Sequence, residues 1–193
     1  MKETGILMTP ENYGKCEDES KTKTRRLNGL KEINESPDSW ELTGMVNNEG
    51  WPTFRWIGGE RLLSVKCPYG TVGDRLYVKE GLERGSGGQV IYRRDKKAVG
   101  RFPASGPFCW IWKRNTLSPL HMPKWAARLW LELTAVRVER IQEISHDDVI
   151  AEGYSNVVDA SEFFHSRWDK INGPGAWEHN DWVWVLEYKM VTP

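Results

Sequence analysis

Residues 130–141 read WLELTAVRVERI, and this stretch is the clearest β-strand signal in the chain. Leu131 and Leu133 alternate with polar or small residues, which is the two-residue period of a half-buried strand. The apolar phase then shifts, which predicts a β-bulge near residues 135–136. Because bulges bend strands, as small barrels require, the pattern indicates a long, bent central strand.

The sequence after this strand predicts two helices and a closing strand. Residues 144–154 (ISHDDVIAEGY) form a short helix with Ser145 as its N-cap and Gly153 at its end. Residues 160–171 carry Phe, Trp and Ile at helical spacing, which predicts a second helix. Residues 182–190 (WVWVLEYKM) alternate in the manner of a strand.

The sequence before the central strand predicts shorter strands joined by turns. Gly58 and Gly59 suit a two-residue hairpin turn, and residues 84–88 (RGSGG) suit a hairpin tip. Residues 34–50 are polar and are interpreted as a surface excursion, whereas residues 95–124 are rich in proline and are interpreted as an insertion. The predicted strands here are residues 5–9, 53–57, 61–66, 75–80 and 89–94.

Size and charge limit the function. The 193 residues suggest one domain, and 27 basic and 27 acidic residues give zero net charge. A protein that coats a long duplex usually carries a basic excess, so a nucleoside or a single base suits this chain better. Most of the eleven Trp are expected in the core, although one or two could stack on a base.

The remaining composition predicts a cytosolic protein without a metal or cofactor. Cys16, Cys67 and Cys109 are far apart and odd in number, which argues against a disulfide framework and a zinc site. No signal peptide is recognised, and no apolar run approaches the roughly 20 residues of a membrane span. The pattern of short strands and helices therefore predicts a small α+β barrel.

Five segments of the chain carry further motifs, in this order: KTKTRR (21–26), GDRLYVKE (73–80), HMPKWAARLWLELTAVRVERIQEIS (121–145), AEGY (151–154) and WVWVLEYK (182–189). Together they resemble the ASCH-domain proteins common in phage and prophage genomes. Those proteins typically show a G-x-K-T-x-T-R-R loop, a GDRLWVRE-like strand, an HMPRWASR segment with a VRVERLQ strand, an AEG helix end and a WVWV-like last strand. The resemblance covers most of residues 1–193 and implies a PUA-like small β-barrel with flanking short helices, associated with RNA and nucleosides.

A more distant resemblance concerns amidohydrolases that remove the acyl group from N4-acetylcytidine. It implies catalytic roles for Lys21, Thr24 and Glu152, in which the lysine activates the threonine hydroxyl and the carboxylate orients the lysine or protonates the leaving amine. Lys21 and Thr24 share a face only on a helical turn, so the site requires a turn there. Glu19 occupies the position where the family has a glycine, a residue suited to positive φ.

Four further residues are candidate ligand contacts. Arg25 and Arg26 could hold a phosphate through their guanidinium groups, or could form surface ion pairs with the acids at residues 17–19. His121 could act as a general base, although a lone histidine is more often structural. Trp125 could stack on a base or cover the mouth of the barrel.

The predicted function is recognition of a nucleoside or a single base of RNA or DNA. Three versions stay open: hydrolysis of the amide of an N4-acylated cytidine, a non-catalytic RNA or modified-base binding module, and a nuclease. A nuclease would use Asp147 and Asp148 as metal ligands, whereas their place in the first turn of a helix suits a structural role. In the first two versions Lys21, Thr24 and Glu152 should line one cleft.

Overall fold

The structure is a computed structural model that describes residues 1–100, 109–155 and 157–192. Strands and helices are numbered separately along the chain, and three-residue 3₁₀ turns are left without labels. In chain order the elements are β1 (Glu3–Leu7), α1 (Pro10–Glu17), β2 (Lys23–Arg26), α2 (Lys31–Asn34), β3 (Trp40–Val46), β4 (Pro52–Trp56), β5 (Leu62–Ser64), β6 (Arg75–Lys79), β7 (Leu82–Arg84), β8 (Val90–Tyr92), β9 (Thr116–Leu117), β10 (Trp130–Arg140), α3 (His146–Val149), α4 (Ala160–Asn172) and β11 (Trp182–Val191).

The central sheet has five strands in the order β1-β6-β10-β11-β2. β1 runs parallel to β6, and the other neighbouring pairs are antiparallel. β11 is buried on both faces because its side chains alternate between two apolar clusters. Trp182, Trp184 and Leu186 pack into the larger cluster, whereas Val183 and Val185 pack with residues of α4.

The predicted bulge in the central strand is confirmed, one residue earlier than expected. The register between β10 and β11 shifts between Leu133 and Ala135. The extra residue moves the apolar phase, so Leu133 before the bulge and Val136 and Val138 after it all face the same cluster. The phase change visible in the sequence therefore has a direct structural cause.

The mixed α+β class is what the structure shows, whereas closure into a barrel stays a prediction. Among the described residues no backbone ladder joins β1 to β2, and these two strands form the edges of the sheet. A side chain spans the gap instead, because Arg26 Nη2 donates to the Leu7 carbonyl oxygen at 2.8 Å. This gap between β1 and β2 positions the candidate site described below.

A second sheet, of order β3-β4-β5, corrects two predictions about residues 34–62. The surface excursion at 34–50 is wrong in part, because β3 lies there and pairs with β4. The strand was not recognised because most of its residues are exposed. Its first residue, Trp40, is buried, and the centroid of its ring lies 5.2 Å from that of Trp56. The β4–β5 hairpin is confirmed, but residues 57–61 connect its strands rather than the glycine pair alone.

A third sheet, of order β8-β7-β9, lies in and before the predicted insertion. The strand predicted at 89–94 is β8, and it pairs with β7. It does not pair with β6, since both edges of β6 are already occupied by β1 and β10. Within the predicted insertion β9 pairs with β7, and residues 101–108 lie outside the described residues.

The helix predicted at 144–154 has the predicted N-cap but not the predicted end, since α3 ends at Val149 and Gly153 lies within the turn that follows. The Ser145 hydroxyl accepts a hydrogen bond from the Asp148 amide at 3.1 Å, which is the predicted N-cap of α3. The chain then continues as a π-helical turn, Ile150–Tyr154, in which Gly153 has φ +91°. α4 ends at Asn172, one residue beyond the prediction. Within the described residues, none of the helices has the length and apolar character needed to cross a membrane.

Candidate functional site

A cavity of about 490 Å³ lies at the gap between β1 and β2. Gly5 and Leu7 of β1 form one wall, and residues 24–26 of β2 form the opposite wall. α4 and the π-helical turn contribute Glu152, Tyr154, Phe164, Arg167, Trp168, Ile171 and Asn172. The cavity therefore brings together parts of the chain that are far apart in sequence.

The structure brings Lys21, Thr24 and Glu152 together in this cavity. Their exposed fractions are 2%, 4% and 4%. Lys21 precedes β2 and is held by its backbone, since its amide donates to the Lys15 carbonyl at 2.9 Å and the next amide donates to Ala151 at 2.8 Å. Because Lys21 is outside the strand, it reaches the cavity that Thr24 also faces.

The Lys21 ammonium is directed at Glu152. Lys21 Nζ donates to Glu152 Oε2 and, at 2.9 Å, to the Glu152 carbonyl oxygen. Burial lowers the pKa of Lys21 from its usual value, and the attraction of the Glu152 carboxylate opposes that change. Within the described residues the Thr24 hydroxyl makes no hydrogen bond. The Lys21 amine, which could act as a base, therefore lies in the same cavity as this hydroxyl but is not hydrogen-bonded to it.

Gly153 makes the close approach of Lys21 and Glu152 possible. Its φ of +91° is a left-handed conformation that residues with a side chain rarely adopt. A Cβ at this position would also lie 3.2 Å from Lys21 Cβ and 2.8 Å from Lys15 Cδ. The glycine in the AEGY segment is therefore required both by the backbone turn and by packing against the lysine.

Glu19 takes the conformation that the missing glycine would take. Its φ is +61°, in the left-handed region. The turn that follows α1 therefore forms without glycine, at the cost of backbone strain at a non-glycine residue. The side chain of Glu19 is exposed, so nothing in its packing requires a glutamate here.

Arg25 lies inside the protein and contacts three carboxylates. Its Nε donates to Glu139 Oε1 at 2.9 Å, its Nη2 also contacts Asp148 Oδ2 at 2.6 Å, and its Nη1 lies 3.3 Å from Glu152 Oε1. The alternative of a surface ion pair with residues 17–19 is not observed. Arg25 instead holds Glu152 in position from the side opposite Lys21.

Asp148 is the centre of this ion-pair network. It accepts from Lys23 at 2.6 Å, from Arg25 at 2.6 Å and from Arg137 at 2.8 Å. Burial would raise the pKa of Asp148, but the hydrogen bonds and charges of Lys23 and Arg25 lower it from its usual value. Because three cations occupy the carboxylate, Asp148 acts as their counter-ion in this arrangement, and the nuclease role as a metal ligand finds no support in it.

Arg26 is placed differently from Arg25. Its guanidinium lines the cavity and contacts the Leu7 carbonyl oxygen at 2.8 Å and the Met8 sulfur at 3.7 Å. Its Nε is buried and has no hydrogen-bond partner among the described residues. Of the two candidate phosphate ligands, Arg26 is therefore the one that lines the cavity without a carboxylate partner among the described residues.

The other two candidate residues lie outside the cavity lining. His121 is exposed at the end of a 3₁₀ turn, next to Leu120, which does line the cavity. Trp125 packs against a separate apolar cluster formed around β7, β8 and β9, with its ring stacked 6.3 Å from that of Trp112. Neither Trp125 nor His121 lines the cavity that contains Lys21, so the structure gives no support to base stacking by Trp125 or general-base catalysis by His121 in this cavity.

Comparisons with known proteins do not establish a family. No protein-family model matches the chain, and no curated protein matches it significantly. The chain is similar to one solved structure, an ASCH domain from Lactobacillus crispatus JV V101, with 11% identity and a TM-score of 0.40. The alignment covers 100% of this chain and 81% of that chain. Since a TM-score this low carries no argument about fold, the ASCH resemblance rests on the sequence motifs.

An aromatic wall completes the cavity, and its role was not predicted from the sequence. Tyr69, Tyr154, Phe164 and Trp168 all line the space. The helical spacing of the last two was recognised, but only as a core face. Helical spacing shows which side chains share a face of the helix. It does not show whether that face packs against the core or also borders a cavity, as Phe164 and Trp168 do.

Proposed function

We propose that this chain is a single-domain ASCH-type protein of PUA-like fold that recognises a nucleoside or a single base in the cavity between β1 and β2. The observation that carries the proposal is the buried Lys21–Glu152 pair beside Thr24 in that cavity. Aromatic side chains line the same space, and their faces suit a base, which stacks favourably on Tyr, Phe or Trp. Lys21, Thr24 and Glu152 are also the site residues that the motif resemblance implies.

The proposed reaction is hydrolysis of the amide of an N4-acylated cytidine. Neutral Lys21 takes the proton of the Thr24 hydroxyl, and the Thr24 oxygen forms a bond to the acyl carbon. The C–N bond then breaks as the proton passes to the departing amine, which leaves as cytidine. Water cleaves the resulting ester of Thr24 and releases the acid. The lowered pKa of Lys21 favours the neutral form that the first step needs.

A second candidate function is a binding module without turnover. It is favoured by the side chain of Thr24, whose hydroxyl is not hydrogen-bonded to Lys21 or to any other described residue. In this version the Lys21–Glu152 pair and the hydroxyl supply hydrogen bonds to a base, and no covalent step occurs. The two versions share the cavity and differ only in the fate of the ligand.

The test is the rate of N4-acetylcytidine hydrolysis by the wild-type protein, Lys21→Met and Thr24→Val. We expect turnover by the wild type, and rates equal to that of buffer for both variants. Thr22→Val is the matched control, because Thr22 lies two residues before Thr24 and does not line the cavity. This substitution should leave the rate unchanged. Circular dichroism establishes that each variant is folded.

The other outcomes separate the versions. Binding of nucleosides with no wild-type hydrolysis would leave the binding module, and Thr24→Val should then weaken affinity by only about 0.5–1.5 kcal/mol, the contribution of one hydrogen bond. If the wild type neither binds nor hydrolyses any nucleoside in a panel, the proposed function is wrong.

A further inference from the structure

Four residues that line the cavity carry buried polar atoms without a hydrogen-bond partner among the described residues. Such atoms are rare, because nearly all buried polar groups in folded proteins are paired with protein, water or ligand. Trp168 is only 7% exposed. Three of the four atoms are donors, so the residues that line the cavity hold more unpartnered donors than acceptors. The atoms are Asn12 Oδ1, Arg26 Nε, Arg167 Nε and Trp168 Nε1.

Two cations of the cavity have no carboxylate partner within the part of the chain that the structure describes. They are Arg26 and Lys79, and each donates instead to a backbone carbonyl at 2.8 Å, that of Leu7 and that of Leu120 respectively. The other cations are compensated, Arg167 for example by Glu11 at 3.1 Å. Two uncompensated positive charges in one cavity favour an anionic ligand.

The two uncompensated cations meet at the same end of β1. Leu7 is the register partner of Lys79 in the parallel pair β1–β6, and the Leu7 carbonyl also accepts from Arg26. Gly5 gives Lys79 room to lie against β1, since a Cβ there would collide with Lys79 Cε. Arg26 therefore approaches the cavity from β2, at one side of the gap, and Lys79 approaches it from β6, the neighbour of β1 at the other side.

An aromatic surface lines the cavity as well. The rings of Phe164 and Trp168 stack at 6.1 Å with an angle of 28° between their planes, and both side chains are buried. A ring system can stack on such a surface, while a phosphate attached to it can reach donors that lie apart from it. The volume of about 490 Å³ is within the range of small-molecule sites.

We infer that the ligand is a nucleotide rather than an unphosphorylated nucleoside, with its phosphate held by Arg26 and Lys79. The base lies against the aromatic surface formed by Phe164 and Trp168, near Lys21 and Glu152. This inference rests on the proposed function and narrows its ligand class. The same phosphate chemistry is found in a free mononucleotide and in a residue of single-stranded RNA.

The test is isothermal titration calorimetry at constant ionic strength with cytidine, cytidine 5′-monophosphate and inorganic phosphate. We expect the monophosphate to bind the wild type about tenfold to a hundredfold more tightly than cytidine, as charge-assisted hydrogen bonds predict. Arg26→Gln and Lys79→Gln, on different strands, should each reduce this ratio, because each should weaken binding of the monophosphate more than binding of cytidine. Lys97→Gln is the control, because Lys97 is exposed and does not line the cavity.

Each outcome has a distinct meaning. Equal affinities for cytidine and its monophosphate in the wild type would overturn the inference and leave the proposed function standing. Loss of the ratio in Lys97→Gln as well would overturn it too, because net charge would then explain the preference. Failure of both ligands to bind would overturn the inference and the proposed function together.

A fourth ligand distinguishes the two sources of the phosphate. Tetracytidylate without terminal phosphates carries the phosphate only as a diester. Binding of this RNA with the same dependence on Arg26 and Lys79 would support a nucleotide within a strand. Binding of the monophosphate alone would support a free mononucleotide.

Discussion

At the residue scale, Glu19 makes a strained turn that a glycine would make freely. Its φ is +61° and its side chain is exposed, so replacement by glycine removes strain without removing packing. The left-handed conformation costs an L-residue roughly 1–2 kcal/mol, and the greater freedom of unfolded glycine cancels part of that gain. We expect Glu19→Gly to stabilise the protein by about 0.5–1 kcal/mol.

Urea unfolding measures this difference as a shift of the transition midpoint to higher concentration. Glu17→Gly is the matched control, since Glu17 is the last residue of α1 and glycine there should destabilise the helix. A Glu19→Gly protein that unfolds at the same or a lower urea concentration than the wild type would contradict the strain argument.

Residue identity predicted part of the site and missed the rest for a physical reason. Lys21, Thr24 and Glu152 were named from motif resemblance, and the structure brings them into one cavity. Arg25 and Arg26 looked equivalent in the sequence, yet one is held by three carboxylates and the other faces the cavity. Only their partners distinguish them, and the three carboxylates that contact Arg25 lie more than 100 residues along the chain.

At the element scale, β2 sorts its four residues by the alternation of a strand. Lys23 and Arg25 point to one face and share Asp148, and Thr24 and Arg26 point to the other. Arg25 also lines the cavity, where it contacts Glu152, so the ion-pair network and the candidate binding surface meet at this residue. Once the strand boundaries are known, the face to which each side chain points follows from the two-residue period of a β-strand.

Removing the Asp148 carboxylate should destabilise the protein at neutral pH. The change removes the carboxylate that three cations share, although each of them keeps at least one other carboxylate partner. The loss of these charge-assisted hydrogen bonds at a buried position should cost roughly 1–3 kcal/mol. The pKa of Asp148 is lowered in the folded state from the usual 3.8, so its stabilisation is present above about pH 4 and is lost as pH falls through the folded pKa.

Thermal unfolding between about pH 2 and pH 7 tests this expectation. Asp148→Asn should unfold at a lower temperature than the wild type at pH 7, and the difference should shrink below about pH 4. Asp147→Asn serves as control, because Asp147 is an exposed neighbour in the same helix. If the two variants behave alike at pH 7, the proposed role of the network is refuted.

The elements themselves were well predicted wherever the local pattern is strong. β10, β11 and α4 have clear periodicity and were found with ends shifted by one residue or so. β3 was missed because four of its seven residues are exposed, which leaves little hydrophobic alternation to recognise. The order of strands in the sheet was not predictable, since partners such as β1 and β6 are brought together by tertiary packing.

At the scale of the whole molecule, zero net charge predicts a weak dependence of binding on salt. Two uncompensated cations at the cavity correspond to about 1–3 phosphate contacts, each worth roughly 0.7 in the slope for single strands. For tetracytidylate we expect a slope of log affinity against log salt of about −0.7 to −2.

Fluorescence anisotropy with a labelled oligonucleotide between about 50 mM and 200 mM salt gives this slope. Arg26→Gln should make the slope shallower by about one contact, whereas Lys97→Gln should not change it. A slope as steep as that of an extended duplex binder would show that many surface charges take part and that the cavity is not the main contact.

The late position of β11 in the sequence sets how long β2 remains unpaired during synthesis on the ribosome. β11 is the hydrogen-bonded partner of both β10 and β2. At a synthesis rate of about 5–20 residues per second, β2 waits roughly 8–33 s between its own translation and that of residue 191. During this interval the basic residues of β2 lack their strand partner, so the risk that the nascent chain misfolds persists until β11 emerges.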